Sequence, residues 1–509
     1  MMKYGFLFGA GAEVGYNLPS GGRFALDIFR QDITEPKKVF RKMRDQIDNT
    51  TIYASTWLPT DYIHKSISAF GKSVYTSIIS STVEHNRDHI VNTVNNFDTI
   101  GEKIANKLKA QNVDFEESVR NLTDREVSGI SFKQKIQYHE AFEKGNKLFN
   151  SNYFSSLLMV YSKAKPERIE QKRDLRTIIV AIMQLQLGAL SEELKQDLNE
   201  NLFMKKDEDI DLFDDFGELI RLNYSASGTT GMEYLLDGTL VNPATDSDYD
   251  VVLYFAYKTL EDLYASVLDY KSLIDSYWHY LYCPKSDWAK FCKISIFLIT
   301  VQQYICGLGK NAKRDNADGY YNMLQAALNE KWYEVSTIAT TNYNELIGDI
   351  LTDTDIMYLN GSVKMYYDPY INKIGSKEEL DNDEHHILVP LIFTQSGTKP
   401  MTSIRMSERY VQMYQDWEKS DAIVIVGFGF GTDDEHINGI LRTLHDDDKK
   451  DLIVVSLANP QNRQSVQKDI RSRLKLKRNE GLTLIPVDEN GYFEGKAWTQ
   501  CLLEIKEQP

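Results

Sequence analysis

The stretch Tyr4-Gly5-Phe6-Leu7-Phe8-Gly9-Ala10-Gly11-Ala12-Glu13 decides how the fold is read. A short apolar run enters a glycine-rich turn, the pattern of a buried parallel strand feeding a ligand loop. Glycines in such a turn let a backbone approach a pyrophosphate closely and leave amide hydrogens to bind it. A full G-x-G-x-x-G would need glycine at Val14, so Gly9-Ala10-Gly11 taken alone fits a tight structural turn equally well. Met1-Met2-Lys3 and the run after it faintly resemble a signal peptide. The run is short and meets Glu13, so a buried first strand is expected instead.

The same grammar returns far downstream. Apolar runs recur at 335–339, 355–359, 387–393, 422–426, 452–456 and 482–486, with a helical pattern at 320–331 before the first and others between. Thr432 and Glu435 have capping-box spacing, and Ile437, Ile440, Leu441 and Leu444 follow on one helical face. Strands alternating with helices predict an open, mostly parallel α/β sheet. Residues 31–314 read as mostly helix, most clearly at 175–202 and 259–280, with turns or exposed loop at 225–231 and 242–246. One strand precedes this region and several follow it. The expected architecture is a discontinuous Rossmann-like sheet domain, 1–30 and 315–509, interrupted by an inserted helical domain, 31–314.

Composition sets the outer limits. At 509 residues the chain has room for about two to four domains. Its net charge of −16 disfavours nonspecific binding to nucleic acid or anionic membranes. The basic cluster Arg471, Arg473, Lys475, Lys477 and Arg478 reads as a solvated helix end. Cys283, Cys292, Cys306 and Cys501 form no C-x-x-C pair and no disulfide framework. The apolar run 294–305 is broken by Gln302 and Gln303 and is shorter than the roughly 20 residues that span a bilayer. A cytoplasmic protein is expected.

Two lookalikes fail on detail. Asp207, Asp209, Asp211 and Glu218 fall at calcium-loop positions, but the required glycine is Leu212. Gly71-Lys72-Ser73 ends like a Walker loop, but the upstream glycine is Ser66. The pair His385-His386 reads as loop rather than metal site.

Five segments, in order and at strand ends, carry a more specific signal. Gly9-Ala10-Gly11-Ala12-Glu13, continuing to Leu18-Pro19-Ser20, resembles the sirtuin nucleotide loop G-A-G-x-S and G-I/L-P. Thr340-Thr341-Asn342-Tyr343-Asn344 resembles that family's T-Q-N-I-D, and Tyr358-Leu359-Asn360-Gly361 falls where it has L-H-G. Gly427-Phe428-Gly429 matches its G-T-S turn, and Asn459 matches the asparagine that holds the adenosine ribose. Glu13, Asn17 and Asn360 stand where serine, glycine and the catalytic histidine are usual. Sirtuin deacylases usually hold zinc with two C-x-x-C pairs, absent here, and 393–397 gives no clear acyl-peptide cleft. The resemblance is closer to the zinc-free sirtuin-like NAD hydrolases of bacterial antiphage defence, which residues 427–438 resemble more than a deacylase.

That resemblance implies NAD as substrate, cleaved to nicotinamide and ADP-ribose, with no zinc. It implies Asn342 and Asn360 as catalytic candidates; none of the nine histidines falls at the motif position, and His436, one turn into the helix after the glycine turn and close to Asp434, is the best substitute. Gly9, Ala10, Gly11, Glu13, Pro19, Thr341, Asn344, Gly427, Phe428, Gly429, Asp434 and Asn459 would contact the nucleotide. Loss of a general base at 360 costs about 10²–10⁴-fold in a deacylase. Nicotinamide, however, leaves the cationic NAD as a neutral amine, so for hydrolysis the site must supply orientation of the nicotinamide ribose, exclusion of bulk solvent and one placed water. The implied role is the NAD-depleting effector of an abortive-infection system, held silent by homo-oligomer contacts or a sensor protein encoded nearby. The alternatives are a non-catalytic subunit that senses NAD or ADP-ribose and an NAD-dependent deacylase.

Overall fold

The structure, a computed structural model, describes residues 2–19, 21–132, 136–138, 147–164, 168–189, 203–205, 228–237, 247–268, 271–381, 383–392, 403–457, 462–488 and 490–505. Asn459, the calcium-loop lookalike at 207–218, the segments 225–227 and 242–246, and residues 393–397 lie outside them.

Six parallel strands form the central sheet: β1 (Lys3–Phe8), β2 (Glu334–Thr340), β3 (Ile356–Tyr358), β4 (Ala422–Val426), β5 (Asp451–Leu457) and β6 (Leu482–Val487). Their spatial order is β6-β5-β4-β1-β2-β3. The chain therefore winds outward in one direction from β1 to β3, returns to the other side of β1, and winds outward again. Ligands in open α/β sheets bind at such a reversal, beyond the carboxyl ends of the strands. Here the reversal lies between β1 and β4. Register brings the strand ends level: Phe8 pairs with Thr340 and Val426, Thr340 with Tyr358, and Val426 with Val455.

Both faces of the sheet are covered, which is why its strands read as continuous apolar runs. On one face Phe6 and Phe8 pack against Trp498, and Phe8 also meets Tyr321 on the helix Tyr320–Asn329. On the other, Gly5 leaves room for Trp417 of the helix Ile404–Glu418, where a Cβ at position 5 would lie 2.3 Å from the indole.

Two expectations fail in detail. Among its described residues, 387–392, the run at 387–393 does not join the parallel sheet; of these only Val389–Pro390 is strand, antiparallel to Tyr366–Asp368. Thr432 and Glu435 form no capping box: Thr432 sits in a 3₁₀ turn, and the Glu435 carboxylate is bonded to Arg442 and Lys475 instead. The basic cluster is largely paired within the protein, with Arg473 on Asp469, Lys475 on Glu435 and Arg478 on Asp451.

The chain divides into two compact units: 1–20 with 31–70 and 271–509, and 21–30 with 71–270. Compared with the expected boundaries, 31–70 and 271–314 belong with the sheet, and 21–30 with the helical unit. The described part of the helical unit contains, besides helices, one antiparallel pair, Ile136–Tyr138 with Phe203–Lys205. Its buried Glu261 is bonded to Arg23, Arg30 and Lys258, which fixes the helix Gly21–Phe29 against the helix Asp248–Val267. In the sheet unit, the apolar run at 294–305 lies inside the helix Trp288–Lys310, whose residues 291–292 and 294–301 are buried. This helix is long and apolar enough to cross a membrane, yet it serves here as a core helix.

Candidate nucleotide site at the carboxyl ends of the sheet

The glycine turns after β1 and β4 interlock. Gly9 N–H donates to Val426 O and Gly11 N–H to Gly427 O, each at 2.9 Å. A Cβ on Gly427, whose φ is 65°, would sit 2.2 Å from Ala12 N, so only glycine fits there. The two turn glycines of β1 thus spend their amides on β4 rather than on a ligand, contrary to the expectation for Gly9 and Gly11. Among the described residues, no backbone acceptor is bonded by the amides of Phe428, Gly429 and Phe430. Phe428 and Phe430 are buried edge to face, and Phe430 is left-handed at φ 52°, uncommon for a bulky residue and frequent at ligand clamps. Asn17 also adopts φ 65°, so asparagine, which tolerates that region, stands where a glycine conformation is needed.

Beside these turns, the ends of β2 and β3 carry three buried asparagines: Asn342, Asn344 and Asn360. Asn342 Nδ2 donates to Gly9 O and to Tyr321 Oη, both at 3.1 Å. The amide orientation is thereby fixed, with both hydrogens inward and Oδ1 left to accept from a ligand or water. Asn344 Nδ2 donates to Glu13 Oε2 at 2.5 Å, and its Oδ1 accepts from Leu346 N at 3.0 Å. Tyr321 Oη donates to Glu13 Oε1 at 3.0 Å. Burial raises the Glu13 carboxyl to about 7, although the bonds from Asn344 and Tyr321 pull it back. The Asn360 Nδ2 contact to Thr341 O is long, 3.5 Å, and its buried Oδ1 has no partner among the described residues. Buried unsatisfied acceptors are rare and costly, by about 1–3 kcal/mol.

The remaining candidates surround this cluster. Thr341 is turned toward β1, its N–H donating to Phe8 O at 3.0 Å. Ala10 is exposed on the turn, and Pro19 is partly buried after Leu18. His436 Nε2 lies 3.0 Å from Tyr410 Oη, which donates to Leu359 O at 3.0 Å, so the imidazole is tied to the residue before Asn360. Asp434 stands at the start of the helix Glu435–Asp446 without a side-chain cap bond. His386 is elsewhere in the fold, buried, with Nδ1 2.6 Å from Asp368 and Nε2 2.9 Å from Glu384. Burial alone would lower its pKa, but the two carboxylates hold it above the ordinary value.

Tyr321 and Tyr410 were not legible as site residues, because each lies in an amphipathic helix where a phenol reads as packing. A signal for Glu13 was present: the serine and aspartate of the resembled motifs are replaced by Glu13 and Asn344, and these two are bonded to each other.

Fold and site together define a doubly wound α/β protein with a buried, asparagine-rich polar cluster at the carboxyl ends of β2 and β3, beside the topological switch point between β1 and β4. Comparison with protein-family models, curated proteins and solved structures found no match.

Proposed function

We propose that the chain is a sirtuin-like NAD hydrolase, cleaving NAD and water to nicotinamide, ADP-ribose and a proton. The observation that carries this reading is one juxtaposition: two interlocked glycine turns at the strand-order reversal, flanked by Asn342, Asn344 and Asn360 at the ends of adjacent strands. In this reading the diphosphate lies over the β4 turn, whose amides at Phe428 to Phe430 face it. The nicotinamide ribose lies over β2 and β3. The C1′–N bond breaks with its electron pair passing to the pyridinium nitrogen, and the oxocarbenium-like carbon is captured by water. Asn342 Oδ1 accepts a hydrogen bond from that water or from the ribose. Asn360 Oδ1 gains a ribose hydroxyl as the donor it lacks.

The biological role proposed with this activity is an NAD-depleting antiphage effector in the cytoplasm, silent until oligomer contacts or a sensor partner release it. Nicotinamide release from NAD by the purified chain, compared with Asn342→Ala, tests the activity. The committed imidazole of His436 and the absence of a histidine at 360 favour one rival, an NAD or ADP-ribose sensor without turnover. Calorimetric binding of NAD that stays intact over hours selects that rival.

A further inference from the structure

We propose that Glu13 is a positioning residue whose carboxylate form sets Asn344 directly, and Asn342 through Tyr321, in the orientation that receives ligand. The proposal rests on the nucleotide reading for its ligand, but not for the ionisation of Glu13 itself.

The geometry is a chain of one-way donors. Asn342 Nδ2 donates to Tyr321 Oη, Tyr321 Oη donates to Glu13 Oε1, and Asn344 Nδ2 donates to Glu13 Oε2. The two links that end on Glu13 require a carboxylate that only accepts. A proton on Oε2 sets a donor against the Asn344 amide, which cannot turn over because its Oδ1 is held by Leu346 N. A proton on Oε1 makes the Tyr321 hydroxyl swing its hydrogen away from Glu13, toward the side from which Asn342 donates. The Asn342 amide cannot turn over either, since that would set its oxygen against Gly9 O. Whichever oxygen takes the proton, a donor meets a donor and one of the two asparagines must move.

The groups facing Glu13 are phenols: Tyr16 on its own turn, Tyr321 on the helix Tyr320–Asn329, and Tyr358 on β3. Burial raises all three above the ordinary phenol value, so none is charged near neutrality. Among the described residues no lysine, arginine or histidine pairs with Glu13. The site is therefore desolvated without a compensating cation, and the carboxyl titrates close to physiological pH.

With a folded value near 7 and an ordinary value of 4.5, Glu13 stabilises the fold most below 4.5, and this contribution is lost as pH rises through 7.

The experiment uses the full chain as wild type, Glu13→Gln and Tyr321→Phe, the last removing one oxygen while retaining the ring stacked on Tyr16. Melting temperature is recorded from pH 5 to 8.5 without ligand, and NAD affinity and nicotinamide release over the same range. The melting advantage of Glu13→Gln over wild type is expected to grow through pH 7 and then level. Wild-type ligand response is expected to fall about tenfold per pH unit below its midpoint near 7. Glu13→Gln should remove that midpoint. Tyr321→Phe should keep the melting step but flatten the part of the ligand profile transmitted to Asn342. A melting difference independent of pH overturns the ionisation, and a ligand midpoint that persists in Glu13→Gln overturns the coupling. No NAD binding by wild type at any pH sinks the nucleotide reading instead, and the melting profile then decides the ionisation alone.

Discussion

The polar atoms at the ends of β2 and β3 are unequal in what they can offer a ligand. Asn342 has both amide hydrogens committed inward, and Asn344 is held at both ends, so each is oriented before anything binds. Asn360 is different, because its buried Oδ1 has no partner among the described residues. Replacing it with alanine removes a polar atom that costs the free protein stability. Asn360→Ala is therefore expected to melt within about 1 kcal/mol of wild type, or above it, while NAD affinity falls about tenfold. Thermal melts with and without NAD check both halves, and a loss of stability with unchanged affinity would make Asn360 a packing residue. The asparagines were legible in the sequence through the resemblance of 340–344 and 358–361 to two short family segments at strand ends. The bonded exchange of Glu13 and Asn344 became visible only once two segments 331 residues apart were brought together.

Among the elements, the six strands were legible because burial on both faces leaves near-continuous apolar runs. The run at 387–393 has the same composition but pairs antiparallel with Tyr366–Tyr367, a partner that periodicity cannot name. The interlocked turns make a direct prediction. Gly427→Ala adds a methyl 2.2 Å from Ala12 N at a φ of 65°, so it is expected to cost about 2–4 kcal/mol and to abolish nucleotide binding. Denaturant titration and calorimetry measure the two effects, and a fully stable variant would mean the turns separate easily. The helix Gly21–Phe29 fell on the expected sheet side of the boundary because its anchors, Arg23 and Arg30, meet Glu261 from 238 and 231 residues away. Burial pushes the Glu261 carboxyl up, but Lys258, Arg23 and Arg30 outweigh it and hold the group below its ordinary value. Its contribution is therefore present above 4.5 and lost as pH falls through the lower folded value. Glu261→Gln is expected to lose about 3 kcal/mol at neutral pH, with the gap to wild type closing under acid. Urea midpoints at pH 7 and pH 4 test this, and an equal gap at both would remove the ionic account.

At the scale of the whole molecule, a net charge of −16 argues against nonspecific phosphate-backbone binding, so a phosphate-bearing ligand must be met by local donors. The β4 turn offers such donors in its backbone amides. Hydrolysis at the carboxyl ends of the sheet is tested most directly by nicotinamide release from NAD by the purified chain, alone and with the product of the neighbouring gene, against Asn342→Ala. Time-dependent release by wild type is expected in at least one of these conditions, reduced by about 10²-fold or more in the variant. Release that is equal for both proteins in every condition would contradict it.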